Sequence, residues 1–563
     1  MRYLCCLLFI VSLNTESKIF NSKAIVHPEV GKDGMVVSQH YLGTEAGHSI
    51  LAKGGNAYDA SIAIAFALAV VLPRAGNIGG GGFMVMFDEA TNQSYSIDYR
   101  EVAPESATKD MFLASDGSVD RKRATQGILS IGVPGTVYGM WEVHQKFGNL
   151  PWSQLLEPAI QLAEEGFSVS PFMTDALNGK YKKLSQFKNF SRIFYSVYPV
   201  QMDQTLTQPN LAKTLKIIAD KGAQGFYQGK VANQIAQYMK KHGGLITEKD
   251  LKNYRPVWRD AIRGIYDDYE IVTMGPPSSG GIHVIQMLNI LEKYDLVSMG
   301  HNSPTYSALL TESMKFAYAD RSKYLGDPGF FNVPTQKLIS KSYADKINKK
   351  ITLNTITPSE NILPGAAMPL ESPDTTHFSV ADKYGNVVSN TYTLNSGFGS
   401  GVVIDGTGIL MNNEMDDFVS APGIPNQFGL IGGEANKIEP FKRPLSSMTP
   451  TLVLQDGKPV YATGSPGGSR IITAVLQFLL NTLEFKMEIS DATVAPRIHH
   501  QWKPDVLMLE KGFDIHHAKK IESLGQRIYM SGPGTSLESI ELKNGLFYGF
   551  GDTRRPDSKA KGL

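Results

Sequence analysis

From residue 36 to about 340, helical and strand-like hydrophobic patterns alternate, punctuated by turns rich in Gly and Pro. Ala60 to Leu72 (ASIAIAFALAVVL) is the longest apolar run outside the N-terminus. With Gly54-Gly55-Asn56 in front of it, the run predicts a buried helix over 57–72. Asn77-Ile78-Gly79-Gly80-Gly81-Gly82-Phe83 then leads into a strand from Met84 to Phe87. Thr247-Glu248-Lys249-Asp250 resembles a capping box, with Asp in the Glu/Gln position, and opens a short helix. The turn cluster Met274-Gly275-Pro276-Pro277-Ser278-Ser279-Gly280-Gly281 introduces an apolar helix from Ile282 to about Leu296. No internal repeat is visible.

The pattern breaks between Ile351 and Asp374. Pro358, Pro364, Pro369 and Pro373 fall in a stretch without apolar periodicity, which predicts a linker. Alternation resumes at Thr375. Thr376 to Ala381 alternates, Asp382-Lys383-Tyr384-Gly385-Asn386 is a turn cluster, and Val387 to Leu394 alternates again, so a β-hairpin is expected. A three-residue loop at Lys383-Tyr384-Gly385 places Thr375 opposite Thr393, about 5 Å apart at Cβ.

The bulk numbers narrow the partners. The 563 residues are 42% hydrophobic and carry a formal net charge of +1, which fits a large globular core and argues against nucleic acid or a polybasic membrane footprint. Arg2, the apolar run Leu4 to Leu13 and the polar residues after it predict a secretory signal peptide spanning residues 1–24, cleaved after Ser17 or after Ala24. The expected location is therefore periplasmic or secreted. Both cysteines, Cys5 and Cys6, fall in that peptide, so disulfides, thiol nucleophiles and thiolate metal sites are not expected in the mature protein. No other run reaches the ~18–20 apolar residues of a membrane span.

The hairpin carries the candidate chemistry. A threonine hydroxyl is a poor nucleophile without a base beside it. If the Asp374–Thr375 bond is cut, the freed α-amine of Thr375 becomes that base, because an α-amine titrates near pH ~8 and is partly neutral at physiological pH. His377 shares a strand face with Thr375, but its Cβ lies roughly 7 Å along the strand, so it is read as structural. Gly467-Gly468 precede Ser469-Arg470 and an apolar helix-like stretch from Ile471 to Leu480. Backbone N–H groups at such a helix start can stabilise an oxyanion. The Lys-Ser/Thr of a nucleotide P-loop is missing there.

The strings TTHFSVADKYGN, TYTLNSGFGSG, GILMNNEMDDF, KRPLSSMTPT and GSPGGSRII resemble, in order and spacing, the small subunit of γ-glutamyltranspeptidases. GGNAYDASIA, GNIGGGGF, DYREVAP, GVPG and PPSSGG resemble the large subunit of the same enzymes. The resemblance runs from about residue 34 to the C-terminus. It implies an α+β fold of the N-terminal-nucleophile hydrolase kind, a four-layer αββα sandwich made as one precursor. Self-cleavage at Asp374-Thr375 would give a large subunit, 25–374, ending in the linker 351–374, and a small catalytic subunit, 375–563.

The implied activity is transfer of a γ-glutamyl group from glutathione and related compounds to water or to an amino-acid or dipeptide acceptor, without a cofactor. Thr375 is the implied nucleophile, Thr393 its supporting hydroxyl, and Gly467 and Gly468 the oxyanion donors. Arg100, Ser446 and Ser447 are implied ligands of the substrate's α-carboxylate, for which the fork of arginine suits better than lysine. Asn395, Glu414 and Asp417, with Asp416 beside them, are implied ligands of its α-ammonium. In bacterial relatives the stretch after MDDF forms a lid in which a tyrosine meets the asparagine matching Asn395. Phe428 stands in that place here, and a more mobile lid is expected.

The histidines at 499, 500, 516 and 517 are adjacent pairs whose neighbours do not face one site, so no metal centre is expected. Two readings share this chemistry, a glutaryl-type β-lactam acylase and a poly-γ-glutamate depolymerase. Arg100 with Glu414 and Asp417 favours a free α-amino acid head over both. A non-catalytic two-lobed solute-binding protein is the reading from a different class.

Overall fold

Two seven-stranded sheets account for most of the strands, and helices cover their outer faces. The computed structural model describes residues 25–362, 374–421, 424, 426, 427, 430, 432–532 and 534–563. The signal-peptide region, Phe428 and residues 363–373 of the expected linker therefore lie outside the described residues. Numbering only the strands of the two large sheets, these are β1 Glu29–Gly31, β2 Gly34–Ser38, β3 Gly81–Asp88, β4 Gln93–Asp98, β5 Val257–Arg259, β6 Ile262–Tyr266 and β7 Tyr269–Thr273. After the linker come β8 Thr375–Asp382, β9 Val387–Thr393, β10 Thr451–Gln455, β11 Lys458–Thr463, β12 Glu538–Lys543, β13 Leu546–Gly551 and β14 Lys559–Gly562. One sheet has the order β14-β2-β8-β9-β3-β4-β5 and the other β1-β13-β12-β11-β10-β7-β6.

The helix Ala57–Val71 is buried along its whole length and packs on the first sheet, as a helix apolar on nearly every side must. Asn56 opens it with a reciprocal cap to Asp59. Thr247 and Asp250 form the expected capping box at the start of Glu248–Asn253. On the other side, the helices Gly280–Leu291, Pro304–Tyr324 and Arg470–Leu483 pack on the second sheet. The layers are helix, sheet, sheet, helix. One expectation is corrected: the helix predicted to reach Leu296 ends at Leu291, and Leu296–Met299 forms a separate turn of helix capped by Asp295.

The hairpin register agrees with the sequence reading. Thr375 pairs with Thr393 and Ala381 with Val387, and Gly385 turns the chain at φ +96°. The glycines 79–82 have a packing reason in the same place. A Cβ on Gly80 would sit 2.1 Å from the Thr393 carbonyl oxygen, and one on Gly82 would meet the Tyr392 Cβ at 2.4 Å. These glycines let β3 lie directly against the end of the hairpin.

Residues before and after position 375 share both sheets. In the first, β8 lies between β2 and β9, and β9 pairs with β3; in the second, β10 pairs with β7 and β13 with β1. Two chains produced by a cut at 374–375 stay joined through these ladders.

Candidate active site

Thr375 is the first residue of β8, and the neighbouring β2 ends at Ser38, opposite Phe378. Residues 375–377 therefore project beyond β2 and are paired on the β9 side only. At this projecting end three hydrogen bonds meet on the Thr393 hydroxyl. Thr375 Oγ1 donates to Thr393 Oγ1 at 3.3 Å, Thr393 Oγ1 donates to the Asp374 carbonyl at 3.2 Å, and the Asn395 N–H donates to Thr393 Oγ1 at 2.8 Å. Thr393 thus contacts both the proposed nucleophile and the carbonyl of the bond to be cut. Asp374 is itself buried, its carboxylate paired with Arg74 on one oxygen and with Lys180, at 3.0 Å, on the other.

One cavity, with about 330 Å³ of atom-free space, is lined by Thr375, Thr393, Asn395, Arg100, Glu414, Asp417, Ser446, Ser447 and Gly468. These residues come from both sides of position 375 and are as far apart in sequence as Arg100 and Gly468. Gly467 stands next to this lining, at φ +133°, and Gly468 follows at φ +58°, both ahead of the helix Arg470–Leu483. Neither N–H has an acceptor among the described residues. Such a pair of oriented donors at a helix start suits a developing oxyanion.

Arg100 is fully buried. Its guanidinium contacts Glu414 and Asp417 and donates to the backbone carbonyls of Pro444 at 3.3 Å and Leu445 at 3.4 Å. The sequence reading put the arginine and the two carboxylates at opposite ends of a ligand, whereas the structure has them in direct contact. A ligand carrying both charges would insert its carboxylate beside Arg100 and its ammonium beside the acids, exchanging partners of equal sign. Burial raises the Glu414 and Glu101 carboxyls above the usual range, with Arg100 opposing the shift. Burial likewise opposes the charge on Arg100, but the acids around it outweigh that and hold the guanidinium protonated.

The motif neighbours explain how Arg100 is held. Asp98 accepts from the Arg100 N–H at 2.9 Å and pairs with Arg259 and Arg443, while the Tyr254 hydroxyl donates to the Arg100 carbonyl at 2.9 Å. Ser446 is held by the 277–279 turn: its N–H donates to the Pro277 carbonyl at 2.9 Å, and its carbonyl accepts from the Ser279 N–H at 2.8 Å.

Sequence reasoning missed five residues. Arg321 lines the cavity and donates to Ser279 Oγ at 2.9 Å and Ser447 Oγ at 3.1 Å. Among the charged residues of the helix Pro304–Tyr324, which include Glu312, Lys315, Asp320 and Lys323, nothing in the sequence singled it out. Gln427, in the stretch expected to form a lid, accepts from Ser396 Oγ at 2.9 Å, and its N–H donates to Asp416 at 3.0 Å. Leu430 from the same stretch lines the cavity. Arg74 and Lys180, which hold Asp374, carried no sequence signal.

The histidines are engaged elsewhere. His377 contacts Thr391 Oγ1 at 2.8 Å and Ser379 Oγ at 3.1 Å, and burial pushes it down to about 3, so it is neutral and both ring nitrogens are engaged by residues other than Thr375. His499 contacts Thr473 and Gln501, whereas His500 contacts Asp505.

Residues 43–562 match the family model described as Gamma-glutamyltranspeptidase. The chain belongs to the γ-glutamyltranspeptidase family. It is 46% identical over 555 residues to the glutathione hydrolase proenzyme of Escherichia coli strain K12, covering 98% of this chain and 94% of that one. Among solved structures it resembles the Helicobacter pylori γ-glutamyltranspeptidase (46% identity, TM-score 0.57, covering 58% of this chain and 94% of that one). It also resembles a cephalosporin acylase from Bacillus halodurans (26% identity, TM-score 0.85, covering 98% and 99%). Family membership and these likenesses agree with the α+β sandwich of an N-terminal-nucleophile hydrolase.

Proposed function

We propose that the chain is a γ-glutamyltransferase and glutathione hydrolase that cuts itself at Asp374–Thr375. The observation that carries this is the single cavity holding Thr375 together with Arg100, the Glu414/Asp417 pair, Ser446-Ser447 and Gly468. Thr375 Oγ1 attacks the Asp374 carbonyl carbon while Thr393 donates to its oxygen. The C–N bond breaks as the C–O bond forms, the amide nitrogen takes the proton, and water hydrolyses the resulting ester. The freed α-amine then serves as base for the hydroxyl of the same residue.

In turnover Thr375 Oγ1 attacks the γ-carbonyl of the donor, the Gly467 and Gly468 N–H groups take the oxyanion, and the leaving amine departs protonated. Arg100 with Ser446 and Ser447 holds the α-carboxylate; Asn395, Glu414 and Asp417 hold the α-ammonium. Water or an amino-acid or dipeptide amine then resolves the γ-glutamyl ester. The charged N-terminal segment supports export to the periplasm or beyond.

A Thr375→Ala chain stays uncut and does not turn over a γ-glutamyl anilide, whereas the parent gives bands of about 37–40 and about 20 kDa on a denaturing gel. A cut or active Thr375→Ala chain refutes the assignment. The likeness to a cephalosporin acylase favours a second reading, a glutaryl acylase. A glutaryl group has no α-amine, however, and would bring no ammonium to Asn395, Glu414 and Asp417, leaving Arg100 as the cation the two acids meet. Faster turnover of a glutaryl than of a γ-glutamyl anilide would select that reading.

A further inference from the structure

A γ-glutamyl donor has two ends to be held at once, its reacting carbonyl at Gly467-Gly468 and its α-carboxylate at Ser446-Ser447. All four residues follow position 375, whereas the helix Pro304–Tyr324 precedes it and touches both ends. Tyr318 and Arg321 lie three positions apart on this helix and so share a face, and both are buried. The Tyr318 hydroxyl donates to the Ser469 carbonyl, one residue beyond the two glycines. The Arg321 guanidinium donates through Nη2 to Ser447 Oγ at 3.1 Å.

What the two serine hydroxyls accept decides what they can donate. Ser447 Oγ accepts from Arg321, and Ser446 Oγ accepts from the Met448 N–H at 3.1 Å. Each hydroxyl has one proton of its own to give, and neither proton has an acceptor among the described residues. Both O–H groups are therefore left for a ligand in the cavity that the two serines and Arg321 line. Arg321 is held in turn through Nε, which donates to Ser279 Oγ at 2.9 Å, and Ser279 Oγ donates to the Ser446 carbonyl at 2.8 Å. These contacts close a ring that carries a positive charge at the wall where the carboxylate sits. Arg100, on the same cavity, already shares its charge with Glu414 and Asp417. At the other end Ser469 Oγ donates to Gln501 Oε1 at 2.7 Å, so the oxyanion turn is tied by its side chain to Gln501 and by its carbonyl to Tyr318.

We infer that Tyr318 and Arg321 are positioning residues for the donor, contributed by the chain before the cut to a site built after it. Arg321 leaves the Ser447 proton facing the α-carboxylate and adds its own charge there, while Tyr318 fixes the turn that carries the oxyanion donors. The inference rests on the γ-glutamyl reading of the cavity and adds what holds its two ends in register. The two residues act on different steps. Arg321 acts on binding of the head group, and Tyr318 on stabilisation of the charge that develops at the carbonyl.

The test uses γ-glutamyl-p-nitroanilide and its α-carboxamide, which lacks only the carboxylate charge. In the parent, kcat/KM favours the acid. Arg321→Gln raises KM for the acid about tenfold, as the loss of one charged hydrogen bond implies, and changes kcat/KM for the carboxamide by less than about threefold. Tyr318→Phe lowers kcat about tenfold for both donors and leaves both KM values within about twofold. An Arg321→Gln enzyme impaired equally toward the two donors refutes the role of Arg321, and so does an active parent that treats them alike. Parental kcat in Tyr318→Phe refutes the role of Tyr318. If Arg321→Gln does not mature, Ser279→Ala, which removes the acceptor of the Arg321 Nε–H, takes its place. The acid-to-carboxamide ratio then falls about threefold, and an unchanged ratio refutes the inference. Parent enzyme inert toward the anilide overturns the γ-glutamyl reading itself, so the two failures are distinct.

Discussion

Replacing Thr393 with Val removes one hydroxyl and keeps the β-branched shape of a buried strand residue. Three hydrogen bonds go with it: those to the Asp374 carbonyl, from Thr375 Oγ1 and from the Asn395 N–H. They act on different observables. The Asp374 carbonyl becomes an oxyanion as Thr375 attacks it, and losing one oxyanion donor costs about 10²–10³ in rate, or ~2.7–4 kcal/mol in the barrier. The Asn395 N–H is left buried without its acceptor, which costs about 1–3 kcal/mol of stability. Thr393→Val is therefore expected to fold, to melt at a lower temperature, and to mature at least 100-fold more slowly. The intact chain is followed on denaturing gels after a short expression pulse. Thr375→Ala marks the uncut limit, and Thr393→Ser retains the hydroxyl and matures within about threefold of the parent. If Thr393→Val matures at the parental rate, Thr393 takes no part in the cut and its contacts serve packing alone.

Two further outcomes follow from the geometry. Gly467→Ala places a Cβ 2.7 Å from both the Gly534 carbonyl oxygen and Thr535 Cγ2, at a φ of +133°. The oxyanion loop must shift, and kcat with a γ-glutamyl anilide falls by about 100-fold. Gly457→Ala, also at positive φ but with open space around it, is the control, and equal kcat for the two variants refutes the argument. Asp416 is pushed up by burial to about 7. Its folded form thus holds a proton that the unfolded chain releases near pH ~4, and stability is lost as pH rises from there through about 7, by up to about 4 kcal/mol. Asp416→Asn in the uncut Thr375→Ala background is expected to gain melting temperature relative to its parent at pH 8 compared with pH 4. A difference that does not change with pH counts against this burial account.

The two sheets illustrate how far a linear pattern reaches. The hairpin register, with Thr375 opposite Thr393, is a local property of two alternating runs and one glycine turn, and it is legible without any tertiary contact. The same holds for the mostly apolar helix Ala57–Val71 and the Thr247 capping box. The end of the helix at Leu291 was not legible, because the apolar character continues past the point where a new cap, Asp295, competes. The ordered motifs fixed which family the chain belongs to, and with it most of the cavity lining.

What only the fold decided is which charges meet. Arg100, Glu414 and Asp417 each look like a ligand for a substrate charge, yet they are brought into contact with one another when the turn at 414–417 packs against the DYRE segment. Arg321 reaches the cavity because one position of a long helix faces Ser447. Arg74 and Lys180 meet at Asp374 from sites about 300 and about 200 residues away in the chain. Periodicity and spacing record the neighbours of a residue along its own element. Coulomb energy and desolvation depend on neighbours across elements, so the chemistry of the acid before the cut became visible only once the sheets and helices were assembled.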